Sequence, residues 1–434
     1  MKLWPSGALW RHPDFLRLWS AETISQLGTQ VTLLALPLAA IDIIHASAFE
    51  VAVLAGVEYL PFLLVSLPAG VWVDRLPRRP ILVAGDLARA GLLASVPIAY
   101  ALDALTIWQL YGVGFFVGIA TVFFDVAYQS YLPSLVERRQ LVDGNAKLEI
   151  SRSAALVGGP GLAGVLVDLL KAPVAILADA VSFLGSALFI FRIRKAEQVP
   201  SRDTQASRRM RHELAEGLRY VLTHAYLKNI AACTALFNFF GNVGFAVLLV
   251  FARRELDLTP AQIGLAFMLG NVGPLLAAFS ANRLSQRLGV GPTIIGAAAV
   301  GGPMFLLIPF APHGTAAVSF LAAVIVVGGF CNVVYNVTQI SLRQAITPER
   351  IQGRMNSVMR FIVWGTIPLG AFVGGALTTV IDLKATLIVG GVGTCLSFVP
   401  VLLSPVRSLR EMPELVEEEP ILEPLAVTAP RPGT

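Results

Sequence analysis

The chain has 434 residues, of which 55% are hydrophobic and 14% are charged, and its formal net charge is +5. Soluble globular proteins carry about 25% charged residues, so this excess of apolar side chains excludes a single water-soluble core. The basic residues lie in short stretches between apolar runs, which argues against a nucleic-acid-binding module. Cys233, Cys331 and Cys395 lie within apolar runs without paired spacing, so they predict neither a disulfide framework nor a metal site.

Apolar runs of about 20 residues, the length that crosses a bilayer, recur along the chain. We predict twelve of them, numbered span 1 to span 12, over residues 15–41, 48–73, 81–101, 105–132, 145–168, 173–191, 227–252, 258–281, 290–311, 315–342, 354–381 and 385–405. The charge-poor stretch Leu288–Leu342 is too long for one crossing, and the turn at Ala311–Gly314 divides it. Met1–Trp19 lacks a short apolar core with a cleavage site, so we expect no cleaved signal peptide.

Lysine and arginine indicate the orientation, because both are retained on the cytoplasmic side during insertion. If both termini are cytoplasmic, only four of the 33 basic residues fall outside: Lys171, Arg253, Arg254 and Lys384. The sequence therefore predicts an all-α integral membrane protein of the cytoplasmic (inner) cell membrane, a multi-pass protein with cytoplasmic N- and C-termini. Its predicted parts are an N-terminal six-helix bundle (1–193), a central cytoplasmic loop with an amphipathic helix (194–225), a C-terminal six-helix bundle (226–406) and a disordered cytoplasmic tail (407–434).

Two loop-to-helix stretches, Leu135–Gly164 and Ile346–Gly375, resemble each other and hold equivalent places in the two sets of six spans. Many transporters are built from repeated halves. The repeat and the number of spans together predict two pseudo-symmetric six-helix bundles.

The first short inner loop reads Gly70-Val-Trp-Val-Asp74-Arg75-Leu-Pro-Arg78-Arg79. Gly70 permits close helix contact, Asp74 can meet the partial positive charge of a helix N-terminus, and the arginines can pair with acids or lipid phosphates. This spacing resembles the G-x-x-x-D-R-x-x-R-R signature of the major facilitator superfamily. The resemblance implies the major facilitator fold, and it implies that these five residues form a conformational latch between spans 2 and 11 on the inner side.

Span 5 contains a second motif, Gly158-Gly159-Pro160-Gly161-Leu-Ala-Gly164, which is similar to the Gly-Pro motif of the superfamily's proton-coupled exporters. The stretches Phe123–Tyr128, Leu132–Val136 and Gly144-Asn145 also resemble the branch that contains macrolide and siderophore exporters, which are drug:proton antiporters. An arginine often found on span 4 of such antiporters is absent here. The coupling mechanism therefore stays open.

Ionisable groups inside a bilayer are costly, and for that reason they indicate function. The spans of the first half carry six acids: Glu22, Glu58, Asp86, Asp125, Glu149 and Asp179. In the second half every acid lies in or beside a loop. Asp86 and Glu149 each have an arginine three residues further on, so we interpret both as structural ion pairs. Asp179 has no local partner, and its span is peripheral in the family.

Glu58, Asp125 and Glu22 remain without a basic neighbour at helical spacing. The family's fold places their spans around the central cavity. Burial without a partner favours the neutral form of a carboxyl group, so a proton gradient could act on these residues. We predict Glu58 and Asp125, and then Glu22, as the proton-coupling residues. The alternative for each is a simple hydrogen bond to a neighbouring helix.

Spans 7 and 10, which line the cavity in the family, offer neutral polar groups. The predicted substrate-cavity residues are Asn238, Asn242, Asn332, Asn336, Gln339 and Tyr335. The asparagines of each span stand four residues apart and so share a helix face. A pocket with amides on one side and acids on the other would suit an amphipathic organic substrate.

The leading hypothesis is a monomeric secondary active transporter that exports a small hydrophobic or amphipathic compound, drug-like, macrolide-like or siderophore-like, by alternating access and proton antiport. Import or facilitated diffusion of a small organic solute by the same fold is the alternative. A membrane enzyme acting on lipid is less favoured, because the sequence contains no H-E-x-x-H, G-x-S-x-G or P-loop motif. We expect no metal and no cofactor, and the expected partners are the substrate, protons and the lipid bilayer.

Overall fold

The computed structural model describes residues 8–73, 75–137, 140–195, 197 and 216–413, and within these ranges it contains helices and no strands. The principal helices are α1 Pro13–Asp42, α2 Ala48–Leu64, α3 Ser66–Val73, α4 Arg78–Ala101, α5 Ile107–Leu135, α6 Leu141–Leu170, α7 Ala172–Phe191, α8 Leu227–Arg254, α9 Pro260–Gly270, α10 Val272–Leu288, α11 Val290–Leu307, α12 Thr315–Ala345, α13 Glu349–Leu377, α14 Leu383–Leu396 and α15 Val399–Leu402. The predicted disordered tail lies outside the described residues from 414 onward.

Eleven helical stretches of the described residues are long and apolar enough to cross a membrane. They correspond to all of the predicted spans except span 2. That span is divided into α2, with 17 residues, and α3, with 8 residues. The prediction of an all-helical, multi-pass membrane fold is therefore confirmed, and the division of span 2 has a local cause.

The cause is a proline. α2 ends at Leu64. In a continuous helix the N–H of residue 68 would donate to the Leu64 carbonyl group, but Pro68 has no N–H and its ring would clash with that carbonyl group. The equivalent span of the second half breaks in the same way, because α9 ends at Gly270 and Pro274 follows four residues later. Prolines at the same distance thus divide spans 2 and 8, and each span continues as a second helix.

The same two spans also begin alike. Ser47 and Glu50 form a capping box at the start of α2, with the Glu50 N–H donating to the Ser47 hydroxyl oxygen at 3.2 Å. Thr259 and Gln262 form the corresponding box at the start of α9, also at 3.2 Å. A capping box satisfies N–H groups that the first helical turn leaves unpaired. The two halves therefore use the same capping motif at the start of equivalent spans.

Within the first half, α1 packs against α6 and α7, and α4 packs against α5 and α7. Within the second half, α8 packs against α13 and α14, while α12 packs against α9, α10 and α11. Two helix pairs make most of the contacts between the halves, α2 with α13 and α6 with α9. The central cavity lies between these two pairs.

The halves meet most closely at the end that we call the closed end, which carries Asp42 and Arg253. There the Arg253 guanidinium contacts the Asp42 carboxylate at 3.0 Å, and Arg254 donates to the Ala46 carbonyl oxygen at 2.6 Å. Contacts between the halves reach halfway along the bundle, where the Phe62 ring stacks on Trp364 at 4.9 Å. Beyond that point α3 packs on α2 and α5, whereas α10 packs on α11 and α12. The interface therefore widens toward the opposite, open end.

The central loop is described only in part. Residues 216–223 are helical, and Val221 is fully buried against the second half. The Tyr220 hydroxyl donates to the Ile346 carbonyl oxygen at 3.2 Å, and Glu216 forms an ion pair with Arg354 of α13. The remainder of the predicted amphipathic helix, including Met210 and Leu214, lies outside the described residues.

Candidate functional site

A central cavity of about 350 Å³ lies between the halves and is lined by α1, α2, α6, α8, α9, α12 and α13. Most of its lining is apolar. The polar residues are Gln30, Glu58, Tyr59, Asn242 and Asn271. The volume lies within the range of small-molecule sites, about 300–1,000 Å³, and a few polar groups in an apolar wall are typical of such sites.

A second cavity, which we call the acidic chamber, occupies about 270 Å³ inside the first half, between α1, α2, α4, α5 and α7. The charged or ionisable side chains that define it are Glu22, Glu58, Arg89, Asp125 and Asp179. Glu58 and Tyr59 line both cavities. The structure thus brings all three predicted coupling acids together, and Glu58 lies in the wall between the chamber and the central cavity.

The position of Glu58 depends on glycines of α5. A Cβ atom at Gly114 would lie 3.0 Å from the Glu58 Cγ, and one at Gly118 would lie 2.7 Å from the Glu58 carbonyl oxygen. Larger residues there would push α2 away from α5. Within the described residues the Glu58 carboxyl group has no hydrogen-bond or ion-pair partner. It is an unpaired acid placed where a substrate and a proton could both reach it.

Glu22 and Asp125 differ in their surroundings. Glu22 is 8% exposed, and its carboxylate accepts a hydrogen bond from Gln26 Nε2 at 2.7 Å. Asp125 is an exposed residue that faces the chamber, and no hydrogen bond to its carboxyl group occurs within the described residues. Asp125 is therefore the more accessible of the two.

Asp179 has partners that sequence reasoning missed. Thr32 of α1 donates to its carboxylate across the helix interface, and the Ser182 hydroxyl donates to it at 2.9 Å. The approach of α1 to α7 depends on Gly28, since a Cβ atom there would overlap both Asp179 and Ser182. Ser182, three residues after Asp179, was the available sequence signal. Because Asp179 lines the acidic chamber, its helix contributes to that site.

Both ion pairs that the sequence predicts are present. Arg89 contacts Asp86 at 2.5 Å with both residues buried, whereas Arg152 contacts Glu149 at 3.1 Å with both side chains exposed. The Arg89 guanidinium also lies between two aromatic rings, 4.2 Å from the Phe124 centroid and 4.1 Å from the Phe183 centroid. Cation–π contacts of this kind are strongest away from water.

The polar residues predicted on the second half divide into two groups. Asn242 lines the central cavity, and its Nδ2 donates to the Asn238 carbonyl oxygen at 2.7 Å. Asn238 in turn donates to the Val363 carbonyl oxygen of α13 at 3.4 Å. Tyr335 is 6% exposed and shares a hydrogen bond with Thr234 at 2.8 Å inside the second half. Its hydroxyl group faces α8 and not the central cavity.

The remaining amides of α12 form a ladder of hydrogen bonds. Asn336 donates to Asn332 at 3.1 Å, and Gln339 donates to Asn336 at 3.3 Å. Arg343 continues the ladder by donating to Gln339 at 3.2 Å and to Asn356 of α13 at 3.1 Å. These side chains satisfy one another within the second half.

The latch motif binds its own half in this conformation. The backbone N–H of Arg78 donates to the Glu197 carboxylate at 2.7 Å, and Arg79 Nε donates to the Ile190 carbonyl oxygen at 3.3 Å. Gly70 has open space where a Cβ atom would be, and Arg75 is exposed. Asp74 lies outside the described residues. The described part of the motif is therefore engaged with the start of the central loop at the open end, and sequence reasoning missed Glu197.

The Gly-Pro motif of α6 faces two neighbours. Cβ atoms at Gly159 and Gly161 would meet Gln30 of α1 and Met268 of α9, respectively. A Cβ atom at Gly164 would lie 3.0 Å from the Gly264 Cα of α9. Pro160 lines the central cavity. The motif thus lets the halves approach closely between the cavity and the closed end.

A helical bundle of two similar halves around a central cavity defines a membrane transporter. A sequence profile described as transmembrane secretion effector matches residues 6–430. The chain belongs to this family of the major facilitator superfamily, which confirms the resemblance seen in the sequence, and it is a transporter and not an enzyme.

Named relatives and solved structures agree with this assignment. The chain is 27% identical to the multidrug efflux pump Tap of Mycolicibacterium fortuitum over 389 residues, covering 87% of this chain and 91% of the pump. It is 26% identical to the pump Tap of Mycobacterium tuberculosis over 428 residues, covering 95% and 98%. A bacterial homologue of the iron transporter ferroportin, solved in an inward-facing state, has the same fold with a TM-score of 0.74 at 20% identity, covering 91% of this chain and 99% of that one.

Proposed function

We propose that the protein exports small hydrophobic or amphipathic organic compounds by alternating access, in exchange for protons. The observation that carries this proposal is Glu58, a carboxyl group in the wall between the central cavity and the acidic chamber that has no partner in the part of the chain that the structure describes. A proton bound at Glu58 would alter the charge that a substrate meets. Competition between a proton and a substrate for one carboxylate is the simplest physical basis of antiport.

The proposal includes twelve spans with both termini in the cytoplasm. Residues 48–73, divided into α2 and α3, supply the twelfth crossing, since α2 packs against both α5 and α13 as a member of the bundle. Lys171, Arg253 and Arg254 lie at the closed end, which would then be the outer side. The central cavity would open to the cytoplasm, where an exporter collects its substrate.

The cavity lining indicates the class of substrate. Leu33, Leu54 and Phe267 offer apolar contact, while the carboxyl group of Glu58 and the amide of Asn242 lie on opposite halves. This combination favours an amphipathic compound, above all one with a positive charge. The two relatives are named multidrug efflux pumps, which supports export of more than one compound.

Uptake of ethidium, a lipophilic organic cation, into inside-out membrane vesicles tests the proposal. With the vesicle interior acidified, we expect accumulation that an uncoupler abolishes. We expect Glu58→Gln to lower gradient-driven uptake about tenfold or more, the scale of a coupling between two sites. Glu50→Gln, which alters only the capping box of α2, is the matched control.

Two results would contradict the proposal. Uptake that persists unchanged with the uncoupler would exclude proton antiport. Accumulation confined to right-side-out vesicles would favour import, the alternative direction for the same fold.

A further inference from the structure

Arg89 is the one basic residue among the described side chains that line the acidic chamber. Its helix, α4, packs against α5 and α7. Ionisable groups face the chamber from every side: Glu22 on α1, Glu58 on α2, Asp125 on α5 and Asp179 on α7, with Tyr128 nearby on α5 and Asp86 on α4 itself. The positive charge of Arg89 thus lies near several carboxyl groups, and in this structure it is paired with Asp86.

The Asp86–Arg89 pair is incompletely satisfied. Asp86 is 0% exposed and Arg89 is 4% exposed, yet among the described residues neither Asp86 Oδ2 nor Arg89 Nε has a partner at hydrogen-bond geometry, although the Ser186 hydroxyl also lies near the Asp86 carboxylate. Buried polar atoms are nearly always paired. An ion pair that served stability alone would be expected to use both carboxylate oxygens and the full guanidinium edge. The unused Nε–H is a donor available for a second carboxylate.

Two aromatic rings hold the guanidinium beside the chamber. The ring centroids of Phe124 and Phe183 lie 4.2 Å and 4.1 Å from its central carbon atom, so the charge stays close to α5 and α7. Phe124 is the chain neighbour of Asp125. Asp125 lacks a hydrogen-bond partner in the described residues, whereas Glu22 already accepts a bond from Gln26.

Two other cations lie close enough for their charge to act on Asp125, namely Arg152 of α6 and Arg360 of α13. Arg152 has a side chain that is 65% exposed and paired with Glu149, and Arg360 is exposed on the other half. Solvent screens exposed charges. Arg89 is the buried cation of the three and the one that lines the chamber.

We propose that Arg89 is the positioning residue for proton coupling: its guanidinium is paired with Asp86 while Asp125 is protonated, and it turns to Asp125 when that carboxyl group loses its proton. The proton leaves Asp125 for water in the chamber, and Arg89 stays charged throughout. The change of partner links α4 to α5 differently in the two proton states. This inference rests on the proposed function. It names Arg89 as the residue through which protonation of Asp125 changes the contact between α4 and α5.

The test uses purified protein in liposomes with two ethidium assays, uptake driven by a proton gradient and exchange of ethidium for ethidium without a gradient. We expect Arg89→Gln to reduce gradient-driven uptake about tenfold or more. Exchange should stay within about twofold of wild type, because the central cavity is unaltered and the variant removes only the link between proton binding and transport. Arg89→Lys, which keeps the charge, should restore part of the driven uptake.

Arg152→Gln is the matched control. It removes the same charge from near Asp125, but from an exposed pair, so driven uptake should stay within about twofold of wild type. Equal losses in Arg152→Gln and Arg89→Gln would overturn the proposal, since a general effect of charge would then explain both.

Asp86→Asn separates a coupling role from a purely structural ion pair. If Arg89 has a second partner, Asp86→Asn should be milder than Arg89→Gln, and the double variant should transport no better than Arg89→Gln alone. If the pair serves only stability, the two single variants should be equally damaging, and the double variant should recover thermal stability and driven uptake together. The second pattern would overturn the inference. Absence of any gradient-driven uptake in wild type would instead contradict the proposed function itself.

Discussion

The two halves of the protein share helix caps and helix breaks but contain different types of polar side chain. Spans 2 and 8 begin with the same capping box and break at the same distance before a proline. The first half nevertheless buries carboxyl groups and one arginine around a chamber. The polar groups of the second half are amides, hydroxyl groups and Arg343, and these bond mainly to one another.

This difference separates two requirements of a transporter. Broken helices and glycine contacts recur in both halves, so under the proposed function they would serve the movement that alternating access requires. Glu58 and Asp125, which have no hydrogen-bond partner among the described residues, lie in the first half, where under the proposed antiport a proton would change the charge of the site. We infer that the repeat supplies the moving parts and that the first half supplies the driving chemistry.

The largest effect is expected at a contact to which both halves contribute equally, Gly164 of α6 and Gly264 of α9. Each Cα lies so near the other helix that a Cβ atom at Gly264 would be 2.9 Å from the Gly164 Cα. Gly164→Leu must force the helices apart, at a cost of about 1–3 kcal/mol for overpacking. Transport should fall about 5- to 150-fold at that cost, and a spin-label distance across the closed end should lengthen.

Gly158→Leu is the control for this contact. Gly158 lies on the same helix, but a Cβ atom there would have no atom within 4 Å. It should transport as wild type does. An unchanged distance in Gly164→Leu would show that the closed end is not held by this contact.

A smaller effect is expected at Asn242, a second-half asparagine that lines the central cavity. Asn242→Ala removes one hydrogen-bonding group, worth about 1 kcal/mol. The KM for ethidium should rise several-fold, while the maximal rate and the response to an uncoupler stay unchanged. Asn332→Ala, within the paired ladder of α12, should leave KM unaltered. Loss of driven uptake in Asn242→Ala with exchange retained would place coupling chemistry in the second half as well.

The sequence was sufficient for the spans because a bilayer imposes length and apolarity on every crossing. It also contained the signal for the two breaks, Pro68 and Pro274. That signal is weak in advance, because prolines within other helices, such as Pro37 in α1 and Pro97 in α4, do not divide them. A break depends on how neighbouring helices satisfy the freed carbonyl groups.

The candidate site was less predictable. When a span is apolar on all sides, its sequence does not indicate which face of the helix turns toward the cavity. Asn242 and Tyr335 were equally good candidates by composition, yet Asn242 lines the cavity and Tyr335 contacts Thr234. The partners of Asp179 and the position of Glu197 depend on contacts between distant segments. The three-residue spacings of Asp86 with Arg89 and of Glu149 with Arg152 gave local geometries that the sequence could supply.

Tyr335 tests whether the second half's paired groups serve stability alone. Tyr335→Phe removes the 2.8 Å hydrogen bond with Thr234, while the Thr234 hydroxyl keeps its bond to the Ile230 carbonyl oxygen. We expect a loss of about 1 kcal/mol in the free energy of unfolding, measured by thermal unfolding in detergent, with ethidium transport unchanged. Tyr100→Phe, whose hydroxyl has only a 3.5 Å contact with Lys171, should show no such loss. Altered coupling in Tyr335→Phe would contradict a purely structural role.

The smallest effect is expected at the ion pair between the halves, Asp42 and Arg253. Their side chains are 27% and 23% exposed, and exposed pairs contribute about 0.2–1 kcal/mol. Asp42→Asn should therefore open the closed end only slightly, as measured by the spin-label distance used for Gly164→Leu. Arg253→Gln should have more effect, because Arg253 also donates to the Leu258 carbonyl oxygen at 2.6 Å. A double variant with Asp42→Asn measures the pair itself, and an interaction energy of zero would mean that the pair does not help to hold the halves together at this end.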